Sequence, residues 1–481
     1  MNLEAEITRL VQFRQSVYQH FNNRADTLMD LVDALSSNTS GQSVVELSLN
    51  PRFRRGYSSL FYAIADYFPS KRAAEAAARR EAEGQLLRLI VPYLPRPQKR
   101  KYWLVGVDVT PWRRQFAETL ADRGYVYYPN AVKGNKPVTI GHQYSLLALL
   151  PEKEGLSVPA WLVPLSLRRI TTDEDKEMVG AEQVDGLMSD RSLPFAAELT
   201  VQVGDTAYSK AAYLHAGGQH PTLITIARAR GNRVFYRRFV PEAGAKAPPW
   251  HPTWYGPPFD LKAPSCWPPP DQVAQTTHLS RRGHRYRVEM EAWQDMLMTG
   301  SRTLPMHRHP FTLVRIRLFD AAGKLAFRRP LWLLVCGQRR NELSLFDIFQ
   351  AYQQRYDLEH FFRFGKQRLL LTAFQTPEVE REESWAHLVL LAYLQLWLAR
   401  SLAERWPRPW ERYLPVVKLA SVASPTLVQR DFGRLIGQIG TPAATPKPRN
   451  ISAGRVKGTK LSPRPRLPVV FKGEKQVRQP P

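Results

Sequence analysis

The sequence predicts an α/β protein with a helical N-terminal region and a basic C-terminal tail. Three observations carry that expectation. Apolar residues within 1–95 recur with a helical period. From Tyr102 onward, short β-branched runs alternate with helical stretches, which argues for a central sheet. The last 41 residues hold ten Lys or Arg and eight Pro against one Glu, a composition that cannot bury a core.

In the N-terminal region Leu3, Ile7, Leu10, Val11, Phe21, Leu28, Leu31, Val32 and Leu35 keep an approximate 3.6 period, broken near Asn22–Asn23. Asn50-Pro51 marks a turn, and a second helical stretch runs from Ser58 to about Val91. Its cations Lys71, Arg72, Arg79 and Arg80, with Arg52, Arg54 and Arg55 ahead of them, suit either DNA contact or a solvated bundle. Tyr93–Lys101 is a basic, Pro-rich linker.

Tyr102–Val109 reads as a strand ending near Asp108, and Tyr125–Tyr128, His142–Leu150, Leu199–Val203 and Leu223–Ala227 as further strands. Ala207–His215 reads as helix. Residues 241–271 set Trp250, Trp254 and Trp267 among Pro pairs and read as an irregular insertion. Val288, Phe311–Leu318 and Leu325–Phe327 are expected as antiparallel strands around it. Leu331–Val335 is a strand leading into a helix that Ser344 and Asp347 cap. An apolar helix over Leu388–Leu402 and a shorter piece to Ile436 follow. The expected regions are 1–95 (helical, DNA-end binding), 96–440 (sheet, with an insertion at about 230–340) and 441–481 (a disordered tail).

The formal net charge is +25 and the pI about 10.1, which favours a polyanionic partner, nucleic acid first. Two cysteines, Cys266 and Cys336, exclude a disulfide framework and fit a reducing cytosol. The opening MNLEAEITRL is amphipathic and not a signal peptide. The longest apolar run, His387–Ala399, is too short to span a bilayer, so no membrane partner is expected. His278, His284, His307 and His309 lack the Cys or carboxylates that would complete a zinc site. No phosphate-cradling glycine motif is present.

The stretch YQQRYDLEHFFRFGK, Tyr352–Lys366, carries the most chemistry. Tyr352, Arg355, Glu359 and Lys366 follow at offsets of 3, 4 and 7, which on a helix fall on one stripe. A carboxylate there can hold a divalent metal, and the flanking cations suit phosphate oxygens. The plainer reading is a solvated helix with an ion pair at spacing four. Asp108 in WLVGVDVTPW and Asp205 in VQVGDTAYSK each sit at a strand end, where α/β folds place catalytic groups and where turn formers are also common.

The pattern Y-x2-R-x3-E-x6-K resembles the glutamate-bearing helix of DDE transposases of the insertion-sequence superfamily named for that motif. The resemblance implies a ribonuclease-H-like catalytic core with a β-strand-rich insertion. It implies a metal-holding triad of Asp108, Asp205 and Glu359, since Asp108 follows an apolar strand and GDTAY fits the second aspartate's context. It implies two Mg²⁺ ions, with Mn²⁺ able to substitute, about 3.5–4 Å apart. It further implies cut-and-paste transposition through a hairpin intermediate, by a bacterial, nucleoid-associated homodimer acting on double-stranded transposon ends and target DNA. Tyr352, Arg355 and Lys366 would grip the 5′ phosphate side. Trp332, twenty residues before Tyr352, would stack a flipped base, its alternative being a Trp packed within a strand. Arg113, Arg114, Lys133 and Lys136 would line the DNA path or stand as solvated charge. The rival functions are a non-catalytic DNA-binding derivative and a metal nuclease that cuts without joining.

Overall fold

The structure is a computed structural model that describes residues 3–67, 76–128, 137–153, 159–240, 254–280, 283–406, 422–448, 454, 456–460 and 462–471. Trp250, Lys71, Arg72, Lys133 and Lys136 lie outside the described residues.

The apolar period of the N-terminal region forms helices α1 (Leu3–His20), α2 (Ala25–Ser36), α3 (Tyr57–Tyr67) and α4 (Ala76–Ile90). On α1, Leu10, Phe13 and Val17 are buried, the spacing of one helix face. The expected break falls between His20 and Ala25.

After the linker come β1 (Trp103–Arg113), β2 (Gly124–Tyr127), β3 (Val138–Leu149) and β4 (Val163–Ile170), then α5 (Lys176–Ser189) and α6 (Pro194–Ala197). Strand β5 (Thr200–Gly204), helix α7 (Ala211–Gly217) and strand β6 (Leu223–Arg228) follow. The insertion supplies β7 (Val234–Arg238), β8 (Tyr255–Asp260), β9 (Gln272–Leu279), β10 (Arg285–Met296) and β11 (Phe311–Phe319). Strand β12 (Leu331–Cys336) leads back to α8 (Leu345–Gln354), α9 (Tyr356–Arg368), α10 (Val379–Ala399), α11 (Leu402–Arg405) and α12 (Pro425–Ile439).

One large sheet runs β2-β3-β1-β5-β6-β12-β11-β10-β9, with β4 also paired to β3. Strands β1, β5 and β6 are mutually parallel, and the other pairings are antiparallel. The insertion therefore extends the central sheet and does not form a separate layer, although β7 and β8 pair as a small sheet of their own. Helix α10 is buried on every side from Ser384 to Ala399, and it packs against α1, α2, α3, α12 and β4. A helix that is apolar all round belongs in a core, and this one joins the N-terminal helices to the sheet. No described helix is long and apolar enough to cross a membrane.

Several expectations are corrected. Strand β1 does not end at Asp108. It runs five residues on to Arg113, paired with β3 throughout. Strand β4 and helix α5 are additional to the expected elements; β4 is buried on both faces although it carries Pro164, Ser166, Arg168 and Arg169, its two arginines being paired with Glu83 and Asp122. Part of 241–271 is a strand, because β8 pairs with β7. Leu325 makes a single bridge to Phe319 and no strand. Arg54 and Arg55 turn inward onto Asp30 of α2, and Arg52 donates to the Gly433 carbonyl, so this cluster stabilises a helix junction.

The described residues beyond Thr441 form no helix or strand. They nonetheless touch the body. Ala443 is buried, Arg55 donates to the Ala444 carbonyl at 2.6 Å, and Leu467 and Val470 donate backbone N–H groups to Glu118 and Arg123, each at 2.8 Å.

Candidate active site

Asp108 and Asp205 come together because their strands are neighbours. β1 and β5 run parallel, and their pairing ends at Gly106 and Val203. Asp108 lies two residues past that point, and Asp205 directly follows β5. Both therefore sit where parallel strands release their chains, the usual place for ligand groups in α/β sheets. Asp205 also caps the following 3-10 turn, its Oδ1 accepting from the Ala207 N–H at 2.7 Å. Gly204 must be glycine here, since a Cβ would stand 2.8 Å from the Tyr208 ring.

Glu359 arrives from the other side. Ser344 and Asp347 form the expected capping box that starts α8. The expected single helix is interrupted at Arg355, which separates α8 from α9. Helix α9 lies on β1, with Leu358 over Gly106, where an added Cβ would stand 2.9 Å from the leucine Cδ1. That contact brings Arg355 and Glu359 over Asp108. Arg355 donates from Nη1 to Asp108 Oδ2 and from Nη2 to Glu359 Oε1, both at 3.2 Å. Burial pushes the Asp108 carboxyl up to about 6; Arg355 opposes the rise, while the charges of Asp205 and Glu359 add to it.

The other stripe residues are more enclosed. Tyr352 is buried, which raises its phenol, and Arg228 at the end of β6 faces it. Lys366 donates to the Pro111 carbonyl of β1 at 3.1 Å, and burial lowers its ammonium to about 8. Tyr208 lies beneath the two aspartates, its buried hydroxyl without a hydrogen-bond partner among the described residues. Arg228 and Tyr208 escaped the sequence reading, although GDTAY contains the tyrosine.

Trp332 differs from the expectation of an available stacking face. It is 3 % exposed, in a cluster with Trp267, Trp293 and Phe259 at centroid distances of 5.2, 5.8 and 6.2 Å. Stacking a base would require that cluster to open. Among the described residues of the insertion, Trp254 is the exposed tryptophan, its ring stacked on His307. Arg114 does not line an open path, because its side chain is fully buried against Glu382. Arg113 is exposed and lies 4.5 Å from the Tyr128 ring.

Residues 16–299 match the family described as DDE superfamily endonuclease, more than half of the chain. The chain belongs to that family. The matched segment contains Asp108 and Asp205 and stops short of Tyr352–Lys366, so Glu359 rests on the motif and on its place beside Asp108. Comparison with curated proteins gave no match. As a DDE endonuclease the chain acts on DNA, and enzymes of this family use divalent metal ions.

Proposed function

We propose that this DDE endonuclease is a cut-and-paste transposase, with Asp108, Asp205 and Glu359 as its metal-holding set. The observation that carries the reading is the convergence of a β1 aspartate, a β5 aspartate and an α9 glutamate around one arginine. The ribonuclease-H-like reading of the core rests on the part of the sheet that positions them, β4-β3-β1-β5-β6.

The donor set suits a hard dication. All three side chains offer carboxylate oxygen. Burial first, and then the charges of Asp205 and Glu359, raise the Asp108 carboxyl, and added positive charge would favour its ionised form. Bound there, divalent ions supply activation of an oxygen nucleophile and charge neutralisation at the scissile phosphate. The chain's own groups orient the substrate. Arg355 presents a planar fork suited to phosphate oxygens, and Tyr352 and Lys366 hold its helix against β6 and β1. Hairpin release, Trp332 stacking, Mg²⁺ as the ion, end binding by residues 1–95 and a homodimeric complex are proposed on the motif resemblance.

The test is cleavage and joining of labelled DNA carrying the inverted repeats that flank the gene. Wild-type protein with Mg²⁺ should yield nicked ends and strand-transfer products. Asp108→Asn, Asp205→Asn and Glu359→Gln should each lower cleavage more than about a thousandfold, on the order of 4 kcal/mol, while leaving end binding intact. Cleavage without joining would favour a plain metal nuclease. Wild-type cleavage by any one variant removes that residue from the set.

A further inference from the structure

Arg355 stands among the carboxylates that this reading assigns to metal. Its guanidinium spans Asp108 and Glu359 at 3.2 Å each. The Arg355 side chain is 12 % exposed and Glu359 47 %, so the cation is seated inward and the glutamate reaches in from the rim. The Arg355 Nε is buried without a hydrogen-bond partner among the described residues. The rings of Tyr352 and Tyr356 lie 5.8 and 5.4 Å from the guanidinium carbon and hold it laterally. Among the described residues, no three His, Cys, Asp or Glu side chains stand close enough to share an ion. Asp108 and Glu359 are thus gathered by a cation that the protein itself supplies. Arg355 also sits at the break between α8 and α9, its backbone N–H bonded to the Tyr352 carbonyl.

We propose that Arg355 is an internal counter-ion: it holds Asp108 and Glu359 in the metal-free protein, competes with a divalent cation for them, and is drawn off by a DNA phosphate. The role rests on the metal-holding reading above. A guanidinium and a dication within a few ångströms of each other repel, and more strongly in a partly buried site than in water. A phosphate offers the fork the same bidentate geometry that a carboxylate does. DNA binding then frees the carboxylates for metal, and metal binding frees the arginine for DNA. By linkage each ligand tightens the other by the same factor.

Calorimetric titration of full-length protein with Mn²⁺, alone and with a short DNA duplex, tests this. Without DNA, Arg355→Gln should bind Mn²⁺ about tenfold more tightly than wild type. The duplex should tighten Mn²⁺ binding to wild type and do so less for the variant. Equal or weaker Mn²⁺ binding by folded Arg355→Gln overturns the proposal. Arg355→Lys keeps the charge and loses the fork, so its affinity should fall between the two. That variant gives the reading if Arg355→Gln does not unfold cooperatively, and wild-type or weaker affinity in it is equally fatal. Asp205→Asn and Glu359→Gln separate the two possible failures. If both bind Mn²⁺ as wild type does, the metal-holding assignment is wrong. If both lose binding and Arg355→Gln is unchanged, the assignment stands and only the counter-ion role falls.

Discussion

Two constellations tie the start of the sheet to the C-terminal helices, and both are built from arginine and carboxylate. At Asp108, one guanidinium serves Asp108 and Glu359 with Asp205 nearby. Just past the end of the same strand, Arg114 donates from Nε to Glu382 Oε2 at 2.5 Å. Glu382 Oε1 accepts from His142 Nδ1 at 2.7 Å and from the Tyr144 hydroxyl at 2.9 Å. Arg114 and Glu382 are fully buried there. The difference is one of proportion. Glu382 has three donors to itself, whereas the carboxylates around Asp108 divide one arginine. Burial alone would raise the Glu382 carboxyl, but the His142 hydrogen bond and the Arg114 charge hold it down at about 2. Burial raises Asp108, and Arg355 does not reverse it. A satisfied network fixes a fold. An unsatisfied one stores a preference for further positive charge.

Breaking the closed constellation should have the largest effect. Glu382→Gln leaves Arg114 buried without a counter-charge and should cost about 3–5 kcal/mol in denaturant unfolding. The depressed Glu382 carboxyl sets the sign of its pH dependence. Its contribution is complete above the ordinary carboxylate range near 4.5 and is lost as pH falls toward about 2. Acid titration of stability should therefore be shallower in the variant across that window. An unchanged unfolding free energy would show the network to be dispensable.

The open constellation should respond with the opposite sign. The folded Asp108 carboxyl lies at about 6, above its ordinary value of 3.8, so folding disfavours the ionised form. That penalty is absent below pH 3.8 and fully developed above pH 6. Asp108→Asn should therefore stabilise metal-free protein by roughly 1–3 kcal/mol at pH 7.5, with the gain fading as pH drops through 6 to 4. Melting in chelator at pH 7.5 and pH 4.5 reads the difference directly. A destabilised Asp108→Asn at neutral pH would mean that the site is as satisfied as the closed one.

A third position sharpens the comparison between the two. His387, buried on α10 beside the Tyr67 ring, is lowered by burial to about 4. Its folded value lies below the ordinary 6.5, so stability present above pH 6.5 is lost as pH falls toward 4. His387→Gln should remove part of that loss, on the order of 1–2 kcal/mol between pH 7 and pH 5. An identical pH profile would take the histidine out of the acid response.

The smallest effect on folding is expected from the tail. Residues 449–481 hold nine Lys or Arg against one Glu, and described parts of them meet the body near the closed constellation through Arg464–Glu378 and the Leu467 and Val470 N–H groups. Their deletion should cost about 1 kcal/mol or less. It should weaken non-specific DNA binding and flatten its salt dependence, because fewer counterions are released. Binding measured at several salt concentrations checks this, and an unchanged slope would remove the tail from the DNA-facing charge.

What was legible in the sequence was local. The helix cap at Ser344 and Asp347 and the paired offsets of Arg355 and Glu359 depend on neighbours a few residues apart. So do the apolar runs that become β1, β5 and β6. Residue type at short spacing determines those interactions. Tertiary contact settled the rest. Nothing near Arg114 or Glu382 in the chain says that they will meet across 268 residues. Trp332 was equally open to a stacking or a packing role until Trp267 and Trp293 closed over it from other parts of the insertion. The sequence determined which charges and carboxylates this protein carries and which short elements bear them. The tertiary arrangement, by laying β1 beside β5 and α9 over β1, decided which charges are answered and which are left short. The physical reason is that burial and long-range pairing set the energy of a charge, and neither is a property of the residues beside it in the chain.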